Sequence, residues 1–371
     1  MSRAYALTIA LILGAPAVAR SQACPCHSVN ATPNAQNCGV EAVAGTNPTV
    51  TEWQPIFEEV AHGPAGWGTQ GPPLGDIGQG CGKPEPAHAV APVFPCELLR
   101  AIAMVETGWR QFCTPTLPAS QVGLSSSTII SFDCGYGIGQ VTSGMHVGET
   151  PSFDRARVAA EPIHNLATGT QILAAKWSAT NCVGDNQPRV VEDWYVATWA
   201  YNGLSAVNNP NTPNYDAMRP VCDPSKGCAG RPYQERVWGY LEHPPTAAHW
   251  TPLLPAYPDR GDIGMAVKPP SLPEPGCAGP TDCVARRPIH HSACLGDEEG
   301  NDGGAAPAGD LATSADLSAP DGMNGMNGMN GAGSCGCQLG THTPTRAPGL
   351  LWLTLGSWLF VRRSRVRRHP G

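Results

Sequence analysis

Leu98-Leu99-Arg100-Ala101-Ile102-Ala103-Met104-Val105-Glu106-Thr107-Gly108-Trp109 is the stretch on which the reading of this chain turns. Leu99, Ile102, Ala103 and Glu106 recur at i, i+3, i+4 and i+7, so they share one face of a helix. The spacing predicts a helix that begins near Pro95 and stops at Gly108. Glu106 therefore ends an apolar stripe, on the side that packs inward. Burial disfavours a charged carboxyl, so a lone glutamate there has a raised pKa and can hold a proton near neutral pH, as a general acid must. The plainer reading is a helix-end carboxylate turned to solvent, and Glu106 alone does not decide between them.

Three short polar patches follow. Gly135-Tyr136-Gly137-Ile138-Gly139-Gln140-Val141 carries three glycines that permit a tight turn with the backbone close to a ligand, and Gln140 offers both a donor and an acceptor. Glu161-Pro162-Ile163-His164-Asn165-Leu166 reads as a helix start with proline at its first position. Ala200-Tyr201-Asn202-Gly203 puts an aromatic and an amide at a helix end. In this order after Glu106, and followed by Tyr233-Gln234-Glu235-Arg236-Val237, the patches resemble the lysozyme-like soluble lytic transglycosylase family. There the helix ends in Glu-Ser, the turn reads Gly-Leu-Met-Gln, Pro-x-x-Asn opens the next helix and Ala-Tyr-Asn lies further on. Here Glu106-Thr107 is a conservative replacement, and Gly137-Ile138-Gly139-Gln140 matches except for glycine at the Met position. Pro162-Ile163-His164-Asn165 and Ala200-Tyr201-Asn202 match outright. Gly139 removes a side chain that would line the glycan groove. The resemblance covers about half of the 371 residues.

The resemblance implies a mainly α, lysozyme-like (goose-type) helical domain, disulfide-containing and flanked by disordered segments. It also implies cleavage of the β-1,4 bond between N-acetylmuramic acid and N-acetylglucosamine in peptidoglycan. Protonated Glu106 would protonate the glycosidic oxygen and then take the C6 hydroxyl proton, leaving a 1,6-anhydro sugar. A substrate N-acetyl group and an internal hydroxyl can replace the second carboxylate that most glycosidases need. Thr107, Tyr136, Gly137, Gln140, Asn165, Tyr201 and Asn202 are the expected substrate-binding residues, with no cofactor and no metal. Tyr201 is expected to reach Glu106 or the sugar through its hydroxyl, against the plainer reading of a buried tyrosine with a satisfied hydroxyl. A hydrolytic muramidase using the same acid is the alternative, with Asp133 as second carboxylate; its plainer reading is a loop-capping aspartate. A peptidoglycan-binding surface protein without turnover is a third reading, against which the acid stands in an intact helix. His146 and His164 belong to no triad or metal pattern.

The chain ends suggest export. Residues 1–19 join a short basic start to an apolar stretch and a small-residue site, Ala17-Val18-Ala19, and read as a signal peptide; acylation at Cys24 is a minor alternative. Ala347 to Val361 is an apolar run that would cover roughly 22 Å as a helix, short against a hydrocarbon core of about 30 Å. Five arginines follow it, a cytoplasmic-end signal. Residues 335–371, starting at Cys335-Gly336-Cys337, resemble the C-terminal sorting tails of myxobacterial surface proteins. That resemblance implies retention at the cell surface, with the envelope membrane and a sorting protease as partners. The expected state is a monomer acting on glycan strands.

Fifteen cysteines in an exported chain read as disulfides before metal ligands. Cys113 and Cys134 bracket a Ser/Thr/Pro-rich insert and are expected to close it. Cys277, Cys283, His290, His291 and Cys294 lack paired Cys-x-x-Cys spacing, which argues against zinc. Seven of the 23 basic residues lie outside residues 20–337, leaving 16 against 30 acidic residues there. No basic face or polybasic run remains for nucleic acid.

Residues 20–50 read as a loose, cystine-tied leader, and residues 51–243 as the folded domain. Thr51-Glu52-Trp53-Gln54 has capping-box spacing ahead of a helix on Trp53, Ile56, Phe57 and Val60. Residues 63–94 read as a surface insertion. Further helices are expected over 161–177, 191–200 and from Tyr233 to Leu241, with Trp194, Trp199 and Trp238 as core anchors. No strand ladder is evident. Residues 244–334, Pro-rich and then carrying Met-Asn-Gly repeats, read as a disordered tether.

Overall fold

The computed structural model describes residues 37–78, 90–113, 127–131, 133–228 and 230–296. Among them are eight α-helices: α1 (Val50–Ala61), α2 (Pro64–Trp67), α3 (Cys96–Thr107), α4 (Arg155–Ala160), α5 (Pro162–Ala179), α6 (Tyr195–Tyr201), α7 (Tyr233–Glu242) and α8 (Arg260–Ile263). The described residues hold isolated β-bridges but no strand, so the fold is mainly α. None of the described helices is long and apolar enough to cross a membrane.

α3 is the helix that the apolar stripe predicts. Pro95 precedes its first turn, and Gly108, at φ 64°, returns its N–H to the carbonyls of Ala103 and Met104. That left-handed backbone suits glycine, which has no Cβ to crowd the preceding carbonyl. Burial extends beyond the stripe, to Leu98, Ala101, Met104 and Val105. The cause is that α3 is central: α1 and α7 pack against it, while α5 packs against α1, α4 and α6. Trp194, Trp199 and Trp238 are fully buried, and Trp177 lies 4.1 Å from Trp194 between ring centroids.

Five sequence expectations need correction. The capping box of α1 lies two residues earlier than expected: Thr49 accepts from Glu52 N–H, and the Glu52 carboxylate accepts from Thr49 N–H at 2.8 Å. Both spacings fit the motif, but only this one puts a carboxylate at the positive end of the helix dipole. The leader is packed over its described part. Cys38 is bonded to Cys134, Val43 N–H donates to Thr128 Oγ1 while Val43 O accepts from Thr128 N–H, and Asn47 Oδ1 accepts from the N–H groups of Gln111 and Phe112. Cys113 therefore does not pair with Cys134, although it too is in a disulfide. The expected insertion contributes Trp67, Ile77 and Phe94 to the core, where single large apolar residues among glycines and prolines suffice to anchor it.

The fifth correction concerns residues 244–296, which wrap the helical body instead of leaving it. Trp250, Tyr257, Ile263, Leu272 and Leu295 are buried in the main core. Leu272 exchanges backbone hydrogen bonds with Cys182 and Gly184, and Ser292 N–H donates to Arg189 O at 2.8 Å. Cys294 is bonded to Cys96 at the first residue of α3, and Glu97 accepts from Ser292 Oγ at 2.7 Å and Ala293 N–H at 3.0 Å. Extended, proline-rich chain has no helical or strand period, yet it buries apolar residues one at a time when its backbone groups find partners on a body already folded. Cys277 is bonded to Cys283, so these thiols, like Cys294, serve as cross-links. The expected signal peptide, Cys24, the insert over 114–126, the repeats and the expected C-terminal sorting tail lie outside the described residues.

Ending the chain after His243 would strip five buried apolar residues from the core, each worth about 1.5–3 kcal/mol, against a total stability of about 5–15 kcal/mol. The expected outcome is loss of a cooperative thermal transition by circular dichroism.

Candidate active site

The sequence patches converge on one turn. Gly137 N–H donates to Ile129 O at 2.8 Å and Gln140 N–H to Gly137 O at 3.1 Å. Ile138 N–H is held by Gln111 Oε1 at 3.0 Å, and Gly139 N–H by Asn165 Oδ1 at 2.9 Å. The carbonyls are taken as well: Gly137 O accepts from Gln140 Nε2 at 2.9 Å, Ile138 O from Thr107 Oγ1 at 3.4 Å, and Gly139 O from Tyr201 Oη at 2.6 Å. Every backbone N–H and C=O from residue 137 to 140 thus has a partner. Gly137 is at φ 60°, and a Cβ there would lie 2.0 Å from Gln111 Oε1, so no other residue fits.

This geometry reassigns several expected substrate contacts. Asn165 is buried; Nδ2 donates to Tyr136 O at 2.8 Å and Val158 O at 2.9 Å while Oδ1 holds Gly139, so its amide is occupied by the backbone. Thr107 is buried between the end of α3 and the turn. Tyr136 is buried with its hydroxyl donating to Val40 O. Tyr201 spends its hydroxyl on Gly139 O, not on Glu106. Gln140 is half-buried at the rim of the turn, and Asn202 is exposed at the C-cap of α6, apart from the others. Gly139 also departs from expectation. A Cβ there would point inward, 3.2 Å from Asn165 Oδ1 and 3.5 Å from Tyr201 Oη, beside an apolar recess lined by Leu99, Ile102, Ala103, Leu166 and Leu173. Gln111, which mirrors Asn165 by donating to Val158 O and Ala159 O, was not singled out from the sequence; a lone buried amide has no sequence signature.

Glu106 stands beside this turn, half-buried at the next-to-last residue of α3. The hydroxyl of Tyr233, the first residue of α7, donates to Glu106 Oε1. Loss of hydration raises the carboxyl pKa to about 7, against the lowering effects of the Tyr233 hydroxyl and the Arg236 charge, and the Asp133 charge adds a small further rise. Burial likewise pushes the Tyr201 and Tyr233 hydroxyls well above their ordinary value, and each is raised further by the Glu106 charge. Glu106, Tyr201 and Tyr233 are therefore one electrostatic cluster, with two neutral phenols around a carboxyl balanced between its two protonation states. Asp133 is exposed and accepts from Ser131 Oγ.

Tyr233 is the residue that sequence reasoning passed over, although it opens the last quoted patch. Its position is fixed from below: Glu235, two residues on, makes a buried ion pair with Arg219, whose Nε donates at 2.6 Å, and Arg219 Nη2 also donates to Pro210 O at 2.8 Å. A buried pair of this kind contributes more to fixing geometry than to net stability.

No family model matches the sequence, and no curated protein or solved structure matches it.

The raised pKa of Glu106 has a stability consequence. Its folded value of about 7 exceeds the ordinary 4.5, so ionising it costs folding free energy that grows from pH 4.5 and is complete above pH 7. Glu106→Gln is expected to be more stable than the parent at pH 8, by up to about 3 kcal/mol, and no more stable at pH 4; urea denaturation at the two pH values measures this.

Proposed function

We propose that this domain is a peptidoglycan lytic transglycosylase of the lysozyme-like soluble type, with Glu106 as its single acid and base. The observation that carries this reading is the carboxyl itself, at the inward end of α3, with a pKa of about 7 and one oxygen held by the Tyr233 hydroxyl. A general acid works best when its pKa lies near the working pH, because it is then both protonated often enough and acidic enough. The ordered patches support the reading further, since Thr107, Gly137, Asn165 and Tyr201 all serve one turn beside that carboxyl.

The chemistry follows from the two states of Glu106. Protonated, it gives its proton to the glycosidic oxygen between muramic acid and N-acetylglucosamine, and the C1–O bond breaks. Ionised, it takes the proton from the C6 hydroxyl of muramic acid as that oxygen bonds to C1. No water is consumed, and the acid is regenerated. Tyr233 holds the Oε1 lone pair through both steps and stabilises the ionised form. Gln140, Asn202 and the ring of Tyr201, the expected contacts that retain exposed surface, are the groups left to meet the glycan. The same reading puts the protein outside the cytoplasm, in the cell envelope, with its C-terminal tail as sorting or anchoring signal; the disulfides suit an oxidising compartment.

Hydrolysis by the same acid is the second reading. It is favoured by the Asp133 carboxylate, exposed and close enough for its charge to raise the Glu106 pKa. Mass spectrometry of the muropeptides released from purified peptidoglycan separates the two: anhydro products, one water lighter than reducing ones, are expected. Reducing products would assign a muramidase, and no product would assign a binding role. Glu106→Gln should lower turnover by about 10²–10⁴-fold.

Activity should fall as pH rises through about 7, as Glu106 loses its proton. Tyr233→Phe removes a hydrogen bond that favours the carboxylate, so the alkaline limb of its kcat/KM profile should move to higher pH while kcat falls. An unmoved limb would show that the hydroxyl does not act on Glu106.

A further inference from the structure

Strained backbone gathers around Glu106. Among the described residues, five other than glycine have positive φ: Asn37, Trp109, Cys134, Gln140 and Asn186. Asparagine takes the left-handed region readily, whereas a bulky side chain there is an outlier. The remaining three all border the candidate site: Gln140 closes the turn, Cys134 follows Asp133, and Trp109 stands three residues beyond Glu106. Trp109 is the hardest to accommodate. A glycine would hold φ 60° without strain, as Gly108 does at 64° just before it, yet the chain puts its largest kind of side chain there. Such a conformation persists only where the surroundings over-determine it.

Three parts of the chain supply that constraint. The Trp109 ring is buried against Phe57 of α1 at 4.7 Å between centroids, and against His249 and Trp250 of the C-terminal wrap at 4.8 and 5.6 Å. Its Nε1 donates to Arg100 O at 2.9 Å, inside α3 itself. The wrap is pinned in turn to α1, where Gln54 Nε2 donates to the carbonyls of Ala248 at 2.9 Å and His249 at 2.6 Å. Two successive left-handed residues reverse the chain after α3, so that Arg110 N–H reaches Thr107 Oγ1 at 3.1 Å and Gln111 Oε1 meets the Ile138 N–H. We propose that Trp109 is a positioning residue for Glu106, and that His249 and Trp250 form the outer half of a clamp on its ring. The wrap is then a working part of the candidate site and not only a cover for the core. That Glu106 is the acting acid rests on the function proposed above; the clamp rests on the backbone and ring geometry.

The test compares the full oxidised chain with His249→Ala, which removes one wall of the clamp at a half-buried position where folding should survive, and with His249→Phe, which restores a ring. Two readings are taken: kcat and KM on purified peptidoglycan, and the titration of the Glu106 carboxyl by carbon NMR. His249→Ala should lower kcat by about 10–100-fold with KM unchanged, since small misplacements of a reacting group act on the chemical step. Its Glu106 should titrate below the parent's value of about 7, as the loosened helix end admits water. His249→Phe should return both readings to those of the parent. A His249→Ala protein with a lower Tm but parental kcat and parental Glu106 titration would overturn the clamp, leaving the rings a merely structural role. If His249→Ala does not fold, His249→Leu carries the same two readings. A parent that releases no product would sink the proposed function instead, and the Glu106 titration would still decide the clamp.

Discussion

The backbone of residues 137–140 has no hydrogen-bonding group to spare, and the architecture around Glu106 follows from that. Gln111 and Asn165 reach the turn from opposite sides through buried amides, and both also donate to Val158 O. Thr107 and Tyr201 add the ends of α3 and α6. Three separate parts of the chain are thereby held to one short loop, and a side chain at Gly137 would break the arrangement at its centre. Networks in which every member is satisfied specify a single geometry, because any slip leaves a buried polar group unpaired. The residues that look like ligands for a glycan are thus ligands for the protein's own backbone. In the proposed function they would act on substrate only through the shape of the wall that they maintain.

The carboxyl beside that wall is the energetic counterpart. Ionising Glu106 in place runs against its loss of hydration, and the Tyr233 hydroxyl and Arg236 charge offset only part of it. The fold tolerates this because α1 and α7 pack against α3 and its first turn is bound to Ser292, Ala293 and Cys294 through Glu97 and Cys96. Stability is held at the start of the helix, and the destabilised acid sits at its end.

Much of this was legible in the sequence where one physical rule acts locally. The apolar stripe and Gly108 located α3, proline at 162 located the start of α5, and the order of the short patches brought Thr107, Gly137, Asn165 and Tyr201 into one neighbourhood. What failed was non-local. Asn165 and Tyr201 carry the donors expected of a sugar site, and only their distances to the turn show those donors to be committed. Cys113 and Cys134 are close in sequence, but the leader competes for Cys134 through Cys38. Residues 244–296 have the composition of a tether, since composition counts apolar residues without asking whether a folded surface awaits them; Trp250, Tyr257 and Leu272 find one. Tyr233 was quoted as part of a pattern, yet its contact with Glu106 spans 127 positions and depends on the packing of α7 on α3.

The bond between Cys96 and Cys294 spans 198 positions. A ribosome releases a chain from its N-terminus, so the anchor for the first turn of α3 is the last described part to emerge. The disulfide at the first turn of the helix that carries the acid cannot form until residue 294 has been made. The proposed wall-cleaving function of Glu106 gives that delay a use: the anchor at the start of its helix would form only after the C-terminal wrap has arrived with it.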